Sequence, residues 1–146
     1  MIQDIINSLS RAINKELNAD TNKYTVYTEN VKQGLKQPCF FIYCSNYRDE
    51  LYRGKRYKVE ADIAIEYMPC EDEEEINKDV NDILQQLYDI TESIEVDGNL
   101  LRGLNRQVEN AESCVVFSVR YEYFYYKTDD IEPMEILKER TDVNGW

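Results

Sequence analysis

The residues that could do chemistry in this 146-residue chain are carboxylates, tyrosines and one cluster of bases, and histidine is absent. Without histidine there is no Ser-His or Cys-His nucleophile pair and no imidazole base. The four cysteines, at 39, 44, 70 and 114, form no C-x-x-C pair and have no histidine to complete a zinc set. They read as reduced thiols, with no disulfide forced. Glu71-Asp72-Glu73-Glu74-Glu75 is the densest acidic run. A calcium loop needs alternating oxygen ligands and glycine at its sixth place, and this run has none. It is better read as a solvated helix start or an acidic patch facing a partner. Glu60, Asp62, Glu66 and Glu122 alternate along strand-like stretches. A carboxylate nuclease would follow such acids with Asp-x-Lys or Glu-x-Lys, and neither spacing occurs. No cofactor and no metal are expected.

One further constellation stands out. Tyr47, Arg48, Tyr52, Arg53, Lys55, Arg56 and Lys58 put basic and aromatic side chains into a dozen residues of a molecule whose net charge is −12. Tyr and Arg are enriched at the centres of protein interfaces. A concentrated basic patch lets acidic subunits meet in one orientation, by docking an acidic surface on a neighbouring copy or partner. Nucleic acid is a poor partner for so acidic a chain, because affinity for it comes largely from bases on phosphate. The tyrosines at 121, 123 and 125 read as buried or interfacial rather than as a base-stacking ladder.

Two long stretches must position these groups. Lys55–Met68 alternates strictly, Tyr57, Val59, Ala61, Ile63, Ile65 and Tyr67 against Lys58, Glu60, Asp62, Ala64 and Glu66. Ser113–Lys127 does the same, with Val115, Phe117, Val119, Tyr121, Tyr123 and Tyr125 on one side. Period two with β-branched and aromatic residues predicts strands with one buried face. At about 3.3 Å per residue they reach on the order of 40 Å, so their ends should project past the core.

The rest follows in order. Ile2, Ile5, Ile6, Leu9, Ile13 and Leu17 predict an amphipathic helix over 2–18. Tyr24–Thr28 reads as a short strand and 29–37 as a loop. Cys39–Ser45, almost wholly apolar, reads as a central strand covered on both faces. Asn46–Arg56 reads as a polar connection, the tip of a hairpin standing off the core. Ile76, Val80, Ile83, Leu84, Leu87 and Tyr88 predict a second helix over 71–90. Ile94–Val96 and Leu100–Val108 flank Asp97-Gly98, a strong hairpin-turn pair, with Gly103 as a bulge or bend. Pro133 opens a short C-terminal helix, and 141–146 should be mobile. Short connections predict a mainly antiparallel sheet. The fold class is α+β: long projecting strands, two amphipathic helices on one face, and a short C-terminal helix. Residues 1–127 form one domain and 128–146 an extension. No apolar run is long enough to span a membrane. Helix, three strands, helix is also the start of a double-stranded RNA-binding domain, but acids stand where that domain needs lysines.

Met1-Ile2-Gln3-Asp4-Ile5-Ile6-Asn7-Ser8-Leu9, Tyr24-Thr25-Val26-Tyr27-Thr28-Glu29 and the stretch from Val31 to Ile42 together resemble the tail terminator family of phages and phage-like contractile particles. Arg56–Tyr67, Leu101–Asn105 and Val115–Tyr126 agree, so the resemblance covers residues 2–127. It implies a non-enzymatic virion protein assembled in the bacterial cytoplasm. Such a protein forms a homo-hexameric ring on the last ring of the tail tube protein, stops its growth, and meets neck, connector or sheath proteins. In a headless bacteriocin-like particle the ring would simply close the tube. The alternatives are a neck or head–tail completion ring and a small ligand-binding or carboxylate-dependent enzyme domain.

Overall fold

The structure, a computed structural model, describes residues 1–28, 34–70 and 76–128. Helix α1 spans Ile2–Leu17. Its apolar stripe becomes the core, with Ile5, Leu9 and Ile13 fully buried. The Ser8 hydroxyl donates to the Glu95 carbonyl at 3.0 Å, tying the helix to the strand beneath it. The Asn18 side chain closes the turn that follows. It donates to the Tyr24 carbonyl at 2.9 Å and accepts the Tyr24 N–H at 3.0 Å.

Strands β1 (Thr25–Tyr27), β2 (Cys39–Arg53) and β3 (Arg56–Met68) come next, then helix α2 (Ile76–Thr91). Strands β4 (Ser93–Val96), β5 (Asn99–Arg102), β6 (Leu104–Asn110) and β7 (Val115–Tyr126) follow. The main sheet has the order β1-β2-β3-β7-β6, and β4-β5 is a separate hairpin. Its Asp97-Gly98 turn has both residues at positive φ, 51° and 79°, as a tight two-residue hairpin loop requires. Helices α1 and α2 pack on one face of the sheet and close the core over Phe40, Ile42, Ile63, Ile65 and Phe117. The Tyr67 hydroxyl donates to Asp79 Oδ2 at 2.6 Å, pinning α2 to β3.

The α+β class and the mainly antiparallel sheet hold, and four details differ from the sequence reading. Asn46–Arg53 is not a loop. It continues β2 for a total of 15 residues, paired with β3 down to Arg53↔Arg56. Polar side chains hid this because they alternate across a ribbon that is wet on much of both faces. Second, β1 pairs parallel with β2, Thr25 opposite Cys39. Third, Cys39–Ser45 is covered fully on one face only: Phe40 and Ile42 are buried, Phe41 and Tyr43 half-buried. Fourth, the return strand breaks at Gly103 into β5 and β6, which belong to different sheets. A Cβ at Gly103 would collide with the Thr91 carbonyl and meet Val119 Cγ2 at 3.0 Å, so close backbone approach requires glycine there. The acidic run 71–75 and the C-terminal helix at 133 lie outside the described residues.

Candidate assembly surface

The basic cluster sits at the end of an arm of three strands. Beyond the helices, β2, β3 and β7 run on together in the register Leu51↔Tyr57↔Tyr125, Asp49↔Val59↔Tyr123 and Arg48↔Glu60↔Glu122. A two-residue turn, Gly54-Lys55, closes β2 onto β3, with Gly54 at φ +58° where a side chain would be strained. The Lys127 N–H donates to the Lys55 carbonyl at 3.0 Å, so β7 ends level with this turn.

Alternation gives the arm two chemically different faces. On the helix side, the rings of Tyr57 and Tyr125 stack at 5.4 Å, and the Tyr125 hydroxyl donates to Asp49 Oδ2 at 2.8 Å. That bond to a carboxylate pushes the Tyr125 phenol up to about 12. Tyr123 is also raised, by burial first and then by neighbours that include Tyr47, to which it is hydrogen-bonded. Lys127 Nζ lies 4.8 Å from the Tyr57 ring centroid.

The opposite face carries a ladder of charges. Arg48 pairs with Glu60 at 3.0 Å, and Lys58 with Glu60 at 3.7 Å and Glu122 at 3.5 Å. Arg120 pairs with Asp62 at 2.8 Å and reaches Glu60 at 3.8 Å. The Arg120 hydrogen bond, working against partial burial, holds the Asp62 carboxyl below the usual range. Nearer the core, Tyr43 donates to Glu66 at 2.7 Å and its phenol is raised to about 12. The acids at 60, 62, 66 and 122 are therefore internally matched. A polar groove of about 490 Å³ beside them is lined by one carboxylate, Asp62, together with Ser45, Arg106 and Arg120. No group of acids, cysteines or histidines able to hold a metal occurs among the described residues.

The seven residues predicted to dock a partner are thus sorted by the structure. Arg48 and Lys58 are taken up by the ion ladder. Tyr52 and Arg56 form a cluster with Phe124: the guanidinium lies 3.9 Å from the Phe124 centroid and the two rings are 5.1 Å apart. Tyr47 belongs to the other face. Arg53 and Lys55 are exposed at the turn. Sequence reasoning missed Leu51, Phe124 and Tyr126, exposed at 59%, 40% and 70%. The signal was present in the alternation of Ser113–Lys127, which continues several residues beyond the depth at which its odd positions stop being buried.

Both edges of the arm are open. β1 covers β2 only at Cys39–Phe41, and β6 covers β7 only from Val115 to Arg120. Among the described residues, the remaining lengths of β2 and β7 have no strand on their outer sides. Unpaired backbone donors and acceptors of this kind are templates for a further strand.

An α+β core with an aromatic and cationic arm reaching past it has the form of a protein that works by joining others. The chain belongs to the phage tail terminator protein family, whose sequence model matches residues 8–133. Its role is accordingly a structural one in a phage tail. None of the curated proteins matches the chain. A solved structure is 14% identical to the chain, over 87% of this chain and 96% of that one, at a TM-score of 0.44. Likeness at that level carries no argument. No helix among the described residues is long and apolar enough to cross a membrane.

Proposed function

We propose that this protein closes the tail tube as a homo-hexameric ring, without catalysis, and offers the ring's outer surface to the neck or connector. In a contractile tail it would also meet the end of the sheath, and in a headless bacteriocin-like particle the same ring would cap the tube. The observation that supports this reading is the arm. A ring needs a head-to-tail contact that repeats until it closes, and the arm carries exposed anchors, an excess of base over acid and two open strand edges. In a molecule of net charge −12 such a local reversal of sign lets copies approach in one orientation. The acidic run at 71–75 is the counterpart we assign to the basic tip.

Particle images test this directly. Removing the gene should leave tubes of uncontrolled length, and labelled protein should sit at one tube end as six copies. Tails of uniform length without the protein would overturn the reading. Label at the head–neck boundary, off the tube, would favour the neck ring instead.

A further inference from the structure

We propose that copies of this chain join by strand pairing, the outer edge of β7 in one copy taking the outer edge of β2 in the next as a parallel neighbour. This contact deepens the ring reading and rests on it, but it needs neither the basic turn nor the acidic run. Backbone alternation decides which groups are free. The Lys127 N–H donates to the Lys55 carbonyl, and Tyr126 stands opposite Arg56, so Lys127 and Lys55 are a directly opposed, hydrogen-bonded pair. Such pairs recur at every second residue of an antiparallel ladder. Tyr121, Tyr123 and Tyr125 therefore direct their N–H and C=O groups to β3, while Glu122, Phe124 and Tyr126 point theirs away from it. Carried across β3, the same alternation turns Arg48 and Glu50 inward and Asp49 and Leu51 outward. Among the described residues, no strand meets β7 on that side beyond Arg120, or β2 beyond Phe41.

The two edges fit each other better than either fits itself. Beyond β6, β7 offers six residues, Tyr121 to Tyr126, in unbroken register with β3. Between its two bulges β2 also offers six, Asn46 to Leu51. Pairing the middle of that β2 stretch with itself would oppose like charges, at Arg48, Asp49 or Glu50. Pairing β7 with itself closes at two copies and leaves β2 bare. In a parallel pair, each residue bonds the two that flank its opposite number. The outward groups at even positions of β7 then meet those at odd positions of β2, and both side-chain faces run on unbroken. Arg48, Glu60 and Glu122 share one level within the chain. At equal height Glu122 therefore stands beside the neighbour's Arg48. The ladder begins on β2 with a base and ends on β7 with an acid, so joined copies continue it with alternating sign.

Residue-resolved hydrogen exchange on the full-length protein, free and bound to short tail tubes, tests this contact. On capped tubes the amides of Glu122, Phe124 and Tyr126, and of Asp49 and Leu51, should slow by about tenfold or more, as when a local opening is closed. Rings that leave all five at the free-chain rate overturn the strand pairing and leave the ring reading standing; absence of the protein from tube ends sinks both. Slowing on β7 alone also overturns the pairing, since β7 would then meet β7. Glu122→Pro and Glu122→Ala both lose the carboxylate, but proline alone removes the edge-facing N–H, which β3 does not use. The proline variant should cap tubes at least about tenfold less well than the alanine variant, with exchange in Ile63–Tyr67 unaltered. Equal capping by two folded variants overturns the proposal.

Discussion

The Arg56 guanidinium lies 3.9 Å from the centroid of the Phe124 ring, across two neighbouring strands and 68 positions apart in sequence. With Tyr52, whose ring centroid lies 5.1 Å from that of Phe124 and 5.6 Å from the same guanidinium, this contact organises the end of the arm without help from the core. An exposed cation–π contact contributes about 0.5–1 kcal/mol, too little to matter for folding. In the assembly proposed above, the group would serve as a preformed contact surface.

Reversing charge at the tip should therefore separate assembly from folding. Arg53→Glu combined with Arg56→Glu is expected to shift the melting temperature by no more than a few degrees, consistent with surface substitutions. Ring formation or tube capping should be lost. Sedimentation and thermal melting of the same preparation decide it, and equal loss in both would remove the tip from the interface.

Gly103 makes the opposite prediction. Gly103→Ala places a methyl group against the Thr91 carbonyl and Val119. Backbone cannot yield as a flexible side chain can, so we expect a loss of about 1–3 kcal/mol or more. For a domain of this size that lowers the melting temperature by about 2–4 °C per kcal/mol. A melt within a degree of the natural protein would show that α2 and the β5–β6 junction are not in fixed contact.

The same seam contains a buried polar link. Tyr121, fully buried, donates its hydroxyl to the Thr91 carbonyl at 3.0 Å, and Thr91 donates in turn to the Leu87 carbonyl at 2.7 Å. Tyr121→Phe keeps the ring and removes the donor, at an expected cost of about 1 kcal/mol. Urea unfolding measures it as a lower midpoint with an unchanged slope.

The ladder should be visible in acid. Arg120 holds the folded-state Asp62 carboxyl below its ordinary range. A group whose folded pKa is depressed adds stability that is present above its unfolded pKa, about 3.9 for Asp. That stability is lost as pH falls through the lower folded value. The difference in melting temperature between the natural protein and Asp62→Asn should therefore be largest near neutrality and shrink below about pH 4. A constant difference from pH 7 to pH 2 would mean that the pair contributes nothing through charge.

The core was legible because each apolar residue there has one job. Ile5, Leu9 and Ile13 repeat at helical spacing, Val59 to Tyr67 alternate, and both patterns correspond to burial in the structure. The arm was only half legible. From Asn46 to Arg53 no periodicity in apolar residues exists to be read, because the strand is held by backbone pairing to β3 and not by a covered face. The parallel β1–β2 pair and the break at Gly103 depend on contacts with distant residues, Cys39 in one case and Thr91 in the other. In the candidate site, composition identified the bases at 48, 53, 55, 56 and 58. It could not show that Glu60 and Glu122 neutralise two of them, since that depends on register.

The two-residue turn at Gly54-Lys55 also constrains how such arms can vary. Each strand residue added changes the side to which every later side chain points. A single insertion in β3 below the turn would carry Arg56 away from Phe124 and put the ladder acids among the tyrosines. Longer or shorter versions of the arm should therefore differ by even numbers of residues in each strand, unless a bulge such as those of β2 between Cys44 and Asn46 and between Leu51 and Arg53 takes up the odd one. The reach of the arm would then change in steps of about 7 Å.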